Sequence, residues 1–119
     1  MKKITIIGVG YVGLVTGAGI SEFGHDVTCV DIDKNKIKKL NSGEIPIYEP
    51  ELDTIVKRNS VKGLLKFSSR INEAIKESEI IFIAVGTPQS KNGDSDLTAI
   101  ENVAKTIGKN LNKYKIICT

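Results

Sequence analysis

The feature that most constrains this chain is a run of local signals between Ile4 and Asp31, set in one fixed order. Lys3-Ile4-Thr5-Ile6-Ile7 is apolar and β-branched without a break, as expected of a parallel strand covered on both faces. It runs directly into Gly8-Val9-Gly10-Tyr11-Val12-Gly13. A helix rich in small residues follows, extending through Leu14, Val15, Gly17, Ala18, Gly19 and Ile20 to Phe23, and Gly24 is placed to end it in a left-handed cap. A second strand, Val27 to Asp31, then finishes on an acid eighteen residues past Gly13.

Each position has a physical reason. Gly8 permits the tight strand-to-helix turn, Gly10 lets a pyrophosphate approach the backbone without meeting a Cβ, and Gly13 lets the helix settle on the sheet. Unbonded N–H groups near Tyr11 and Val12 would meet phosphate oxygens with the helix dipole behind them. Asp31 is placed to accept both hydroxyls of an adenosine ribose. A GxGxxG alone is weak evidence, because glycine-rich turns occur in ordinary loops and in methyltransferases. Here strand, glycines, helix, strand and acid all fall in order, so a dinucleotide site is predicted. Ile32 stands where an NADP enzyme would more often offer a hydroxyl or an arginine, which favours NAD.

Composition limits the remaining possibilities. At 119 residues the chain is one domain, and 40% hydrophobic with 26% charged content is ordinary for a globular protein. No apolar stretch is long enough to span a membrane, and Met1-Lys2-Lys3 lacks the apolar core of a signal peptide, so a cytoplasmic protein is expected. The net charge of +3 is small. Its visible concentration, Lys34, Lys36, Lys38 and Lys39, reads as a solvated helix face and not as a nucleic-acid surface. Cys29 and Cys118 lie in strand-like runs as small buried hydrophobes, without metal-ligand spacing. No metal site is predicted.

Beyond Asp31, Asp33 can cap a helix through about Leu40, closed by Asn41-Ser42-Gly43. The stretch Glu44 to Gly63 carries Pro46 and Pro50, with Pro50 suited to the first turn of a short helix bearing Leu52, Ile55 and Val56. A third strand is expected at Leu64 to Ser68, a helix at Ile71 to Lys76 and a fully buried fourth strand at Ile80 to Val85, stopped by Gly86-Thr87-Pro88. After a polar loop from Gln89 to Asp96, Thr98 and Glu101 suggest a capping box. The helix that follows has Ile100, Val103, Ala104, Ile107 and Leu111 on one face, and Tyr114 to Cys118 opens a fifth strand. The alternation predicts an α/β, doubly wound parallel sheet of order 3-2-1-4-5. Its topological switch then brings the glycine loop and the Gly86-Thr87-Pro88 turn to one crevice, where the Thr87 hydroxyl can reach a ribose or pyrophosphate.

Three blocks in order, Gly8 to Leu14, Ile45-Pro46-Ile47-Tyr48-Glu49-Pro50 and Gly86-Thr87-Pro88, followed by Asn92-Gly93 and Asp96-Leu97, resemble the amino-terminal domain of the UDP-glucose 6-dehydrogenase family. The resemblance covers essentially the whole chain and implies a Rossmann-like NAD-binding domain. Enzymes of this family oxidise C6 of a nucleotide sugar twice, reducing two NAD and yielding UDP-glucuronate. By resemblance, Gly8, Gly10, Tyr11, Val12 and Gly13 hold the pyrophosphate, Asp31 and Lys36 address the adenosine end, and Thr87 lines the cleft. Glu51 departs from the family, which usually has glycine there.

The family's catalytic cysteine, in a Gly-Gly-Ser-Cys-Phe context, and its catalytic lysine and asparagine have no counterpart in residues 1–119, so no catalytic residue is assigned here. The chain is expected to be a partial cofactor domain, cut near its fifth strand and lacking the central helix and the catalytic and substrate domains, with weak NAD binding and no turnover alone. The resemblance also implies a homodimeric parent enzyme using UDP-glucose. Dehydrogenases of GDP-mannose or UDP-N-acetyl sugars stay open as alternatives. From a different class, a non-catalytic regulatory NAD-binding module shares the fold, but it needs neither the Glu44 to Gly63 stretch nor the Gly-Thr-Pro turn. His25 is read as an exposed loop residue without a role, and Tyr48 and Glu49 as candidates for substrate or domain contact.

Overall fold

A computed structural model describes residues 1–46, 49–86 and 97–119. Five strands, β1 (Lys3–Ile7), β2 (Asp26–Val30), β3 (Leu65–Ser68), β4 (Ile80–Ile83) and β5 (Ile116–Cys118), form one parallel sheet in the order β3-β2-β1-β4-β5. Among the described residues five helices connect them: α1 (Tyr11–Glu22), α2 (Lys34–Asn41), α3 (Pro50–Val61), α4 (Ile71–Glu77) and α5 (Thr98–Lys109).

Side-chain alternation divides the sheet into two cores. Ile4 and Ile6 of β1 share a face with their register partners Val27 and Cys29 of β2, and these with Leu65 and Phe67 of β3. That face packs on Leu14 and Ala18 of α1, Ile37 and Leu40 of α2, and Leu52 and Val56 of α3. Ile7, Val30 and Ile81 point the other way, onto Ala74 and Ile75 of α4 and Ile107 of α5. Thr5 shares this second face, and its buried hydroxyl donates to the Ala74 carbonyl at 3.1 Å.

Local chemistry fixes the helix ends. Asp33 caps α2, its carboxylate accepting the Asn35 and Lys36 amides at 3.0 and 3.2 Å. Gly24 at φ +89° and Gly43 at φ +90° take the left-handed backbone that follows α1 and α2, and Pro50 opens α3. A buried polar node joins α1 to α3, with Asn59 donating to the Ser21 hydroxyl at 3.0 Å and to the Glu22 carboxylate at 3.1 Å. Arg58 adds an ion pair to Glu22. The Glu22 carboxyl is held below its ordinary range, first by the Arg58 hydrogen bond and then by Asn59.

Several expectations need correction. Helix α5 has Leu97 as its N-cap, placing Thr98 at the first helical position, so the Thr98–Glu101 capping box does not form; the Glu101 amide instead donates to the Leu97 carbonyl at 2.9 Å. On α5 only Ile107 is buried, while Ala104 and Leu111 are exposed. Strand β4 stops at Ile83, and only Ile81 within it is buried; Ile80 and Phe82 on one face and Ile83 on the other are half-buried at the edges of the two cores. Tyr114 is exposed and precedes β5, and Cys118 is half-buried where full burial was expected. His25 is half-buried and accepts the Lys2 amide at Nδ1, 3.0 Å away, at the end of the sheet opposite the glycine loop. The Gln89 to Asp96 loop, Tyr48, Thr87 and Pro88 lie outside the described residues.

Candidate functional site

The site is assembled where β1 ends. Gly8 has φ +108°, and a Cβ built on it would lie 2.7 Å from the Ala84 carbonyl oxygen. The loop therefore passes directly against the chain leaving β4, and a side chain at residue 8 would be both strained and blocked. The Gly8 amide donates to the Val30 carbonyl at 2.8 Å and the Ala84 amide to the Ile7 carbonyl at 2.8 Å, tying the ends of β2, β1 and β4 together. The described part of the expected crevice at the switch between β1 and β4 is thus bounded by Gly8 and Ala84, while Thr87 and Pro88 of its other flank lie outside the described residues.

Helix α1 begins at the floor of this crevice. Gly10 is its N-cap, the Leu14 amide closes onto the Gly10 carbonyl at 3.0 Å, and the first turn has no acidic side chain to occupy its positive end. A Cβ on Gly10 would meet no atom of the described residues within 4 Å, so among them the space above the loop is open to a ligand. Gly13 is the opposite case: its Cβ would fall 1.9 Å from the Gly8 carbonyl oxygen, so only glycine lets α1 start this close to β1. Tyr11 and Val12, 59% and 65% exposed, present their side chains outward at the helix start.

Asp31 lies one residue beyond β2, half-buried, and its carboxylate accepts the Val9 amide at 3.1 Å through Oδ2 and the Asp33 amide at 2.9 Å through Oδ1. Each oxygen keeps an acceptor site for a further donor. Beside it opens a cavity of about 360 Å³, bounded by Ile7, Gly8, Asp31 and Ile32 on one side and by Val85, Asn102 and Val103 on the other. The lining is mostly apolar with a few polar groups, the character of a small-molecule pocket.

Sequence reasoning located the glycine loop, Asp31 and Ile32 but not the far wall. Ile71, Asn102, Val103 and Thr106 reach the cavity through the packing of α4 and α5, and no local motif marks them. The topology carried the one available signal, since a helix returning after β4 must pass over the switch. Lys36 is exposed on the first turn of α2 and is not part of the cavity wall; its backbone amide serves the Asp33 cap.

A larger recess of about 890 Å³ lies beside β3, but it includes no residue of the glycine loop. Its cations Lys57, Lys66 and Arg70 are paired with Asp53, Asp26 and Glu73. Among the described residues no group of three His, Cys, Asp or Glu side chains could hold a metal ion, and no helix is long and apolar enough to cross a membrane.

The residues present fit a dinucleotide: an open glycine loop at a helix start without a side-chain cap, a carboxylate with spare acceptor capacity and an apolar pocket next to it. Comparison with known proteins agrees. The family model described as UDP-glucose/GDP-mannose dehydrogenase family, NAD binding domain, matches residues 2–119. UDP-glucose 6-dehydrogenase TuaD of Bacillus subtilis is 54% identical over 117 residues, which are 98% of this chain and 25% of that protein. Among solved structures, a GDP-mannose dehydrogenase from Pseudomonas aeruginosa superposes with a TM-score of 0.88 at 40% identity, covering 93% of this chain and 26% of that one. A UDP-D-ManNAc dehydrogenase from Pyrococcus horikoshii gives 0.88 at 36%, covering 96% and 27%. The chain thus spans about a quarter of the length of these relatives.

Proposed function

Because this chain belongs to the UDP-glucose/GDP-mannose dehydrogenase family, as its NAD-binding domain, we propose that it is the cofactor-holding part of an NAD-dependent dehydrogenase that oxidises UDP-glucose to UDP-glucuronate. The observation that carries the reading is the crevice at the end of β1, where an open phosphate loop, the Asp31 carboxylate and an apolar cavity adjoin. Curated relatives at 45–54% identity that are UDP-glucose 6-dehydrogenases support the glucose substrate.

In this reading the amides at the start of α1, around Tyr11 and Val12, bind the pyrophosphate, and Gly8 and Gly13 hold that helix start against β1. Asp31 accepts the ribose hydroxyls, and its negative charge disfavours a 2′-phosphate. Ile7, Ile32, Val85 and Val103 exclude water around the adenosine end. Lys36 and Thr87 complete the assignment by family resemblance. NAD, when bound, supplies the hydride acceptor.

The thiol chemistry belongs elsewhere in the enzyme. Cys29 is fully buried beneath α1 and desolvation pushes its pKa up to about 12, which suits packing and not nucleophilic attack. The other three quarters of the enzyme's length, supplied beyond these residues, would carry the catalytic cysteine, the sugar site and the dimer contacts, and residues 1–119 alone would not turn over. We place the enzyme in the cytoplasm, where NAD and nucleotide sugars are found.

Titration of the chain with NAD and with NADP, followed by backbone amide NMR, tests the site. Shifts centred on Gly10, Tyr11, Val12 and Asp31, stronger with NAD, are expected; a response confined to other surfaces refutes it. In the longer enzyme, faster NADH formation with GDP-mannose or a UDP-N-acetyl sugar than with UDP-glucose would overturn the substrate assignment.

A further inference from the structure

The Asp31 carboxylate is already engaged by the protein itself. Of the two amides at the head of the glycine loop, Gly8 donates to the Val30 carbonyl at 2.8 Å and Val9 donates to Asp31 Oδ2 at 3.1 Å. The loop is therefore stitched to the end of β2 by one backbone bond and one side-chain bond. The other oxygen, Oδ1, accepts the Asp33 amide at 2.9 Å, and Asp33 is the residue that caps α2. The Val9 side chain is buried in the core beneath α1, so the Val9 peptide is anchored from both sides: apolar packing holds its side chain and Asp31 holds its N–H.

From this geometry we infer that Asp31 is a positioning residue for the phosphate loop as well as the acceptor for the ribose, so that cofactor choice and loop shape depend on one carboxylate. The inference rests on the cofactor reading above and adds a coupling to it. A carboxylate can hold both amides and still present acceptors to a ribose diol. Any residue that would welcome a 2′-phosphate at this position must give up the charge, and with it at least one of the two amide bonds. Substitution at residue 31 therefore loosens the loop for every pyrophosphate ligand, including those with no ribose. Exchanging Asp31 alone cannot convert the site to NADP without weakening its grip on the phosphates.

The test uses Asp31→Asn, which preserves shape but replaces one acceptor with a donor facing Val9 or Asp33. Asp31→Ala serves as the second variant if the first does not give a folded spectrum. Inorganic pyrophosphate and NAD are titrated into the variant and the parent chain, and amide hydrogen exchange is measured. Removing a negative charge near an anion site would, by charge alone, tighten pyrophosphate binding. The tether predicts the reverse sign: pyrophosphate affinity falls by about threefold or more, and the Val9 amide exchanges roughly tenfold faster while Ile6 and Val27 are unchanged. Unweakened pyrophosphate binding, or a Val9 amide no faster than in the parent, overturns the inference. Should neither ligand move the parent amides, the cofactor reading itself fails, and Val9 exchange alone then decides the tether.

Discussion

Two glycines on the same helix should respond to alanine in opposite directions. A Cβ on Gly13 would sit 1.9 Å from the Gly8 carbonyl oxygen, whereas real Cβ contacts essentially never fall below 3.0 Å, so α1 must lift from β1 by at least 1.1 Å (3.0 less 1.9). The obstructing atom belongs to the backbone of a loop pinned by the Gly8 to Val30 hydrogen bond, so it cannot rotate away as a side chain would. Overpacking of this kind costs about 1–3 kcal/mol or more, against a helix-propensity gain of about 1 kcal/mol from replacing glycine. A 1.9 Å approach to backbone lies at the severe end of that range, so Gly13→Ala should be destabilised by about 2 kcal/mol net. Because a misplacement of about 1 Å at a binding loop is expensive, NAD affinity should fall at least tenfold, roughly 1.4 kcal/mol. At Gly19 a Cβ would meet nothing within 4 Å, so Gly19→Ala keeps only the propensity gain and should stabilise by up to about 1 kcal/mol with NAD binding unchanged. Urea denaturation and the NAD titration measure both. A Gly13→Ala chain as stable as its parent, binding NAD within about twofold of it, would refute the reasoning.

One further pair of sites tests the packing under α1. A Cβ on Gly17 would approach Cys29 Sγ to 2.6 Å, so Gly17→Ala should destabilise the fold and Cys29→Ala should relieve much of that loss, with a coupling of about 1 kcal/mol in a double-mutant cycle; additive effects would contradict the contact. Acid sensitivity provides the last prediction. The carboxyl of Glu22 is held below its ordinary value of 4.5 by Arg58 and Asn59, and that of Glu79 by the Lys3 amide and by Lys2, so each contributes stability above that value and loses it as pH falls through the lowered one. Glu22→Gln should flatten the decline of stability below about pH 4.5, read from urea midpoints across the acid range, and a slope equal to the parent's would exclude the Arg58 contact as its source.

The framework was readable because its determinants are local. The β-branched run at Ile4–Ile7, the glycine spacing, the Asp33 cap and Pro50 at a helix start each act within a few residues, and with the right-handed crossover rule they led to the observed strand order. What escaped is set by partners distant in sequence. Asn59 is buried because Ser21 and Glu22 satisfy it from another helix, so its polarity concealed a core position. The apolar face of α5 meets the core through Ile107, which packs in a cluster with Ile7, Ile75 and Ile81, while Ala104 and Leu111 are left exposed. At the site, Asp31 could be assigned from the motif, whereas its bond to Val9 and the contribution of Asn102 and Thr106 to the cavity arise only in three dimensions. Thr98 resembled a cap but sits one position inside its helix.

The register of β1 has a consequence for how the site comes into being. Ile4 lies beside Val27 on one flank, 23 residues away, and beside Ile80 on the other, 76 residues away. Closing the shorter span costs less chain entropy, and its residues leave the ribosome first. The glycine loop can thus be fastened to Val30 and Asp31 while β4 is still unmade, and the wall at Ala84 arrives afterwards as a separate event. A growing polypeptide would acquire its hold on phosphate before it acquires a crevice to enclose the nucleotide.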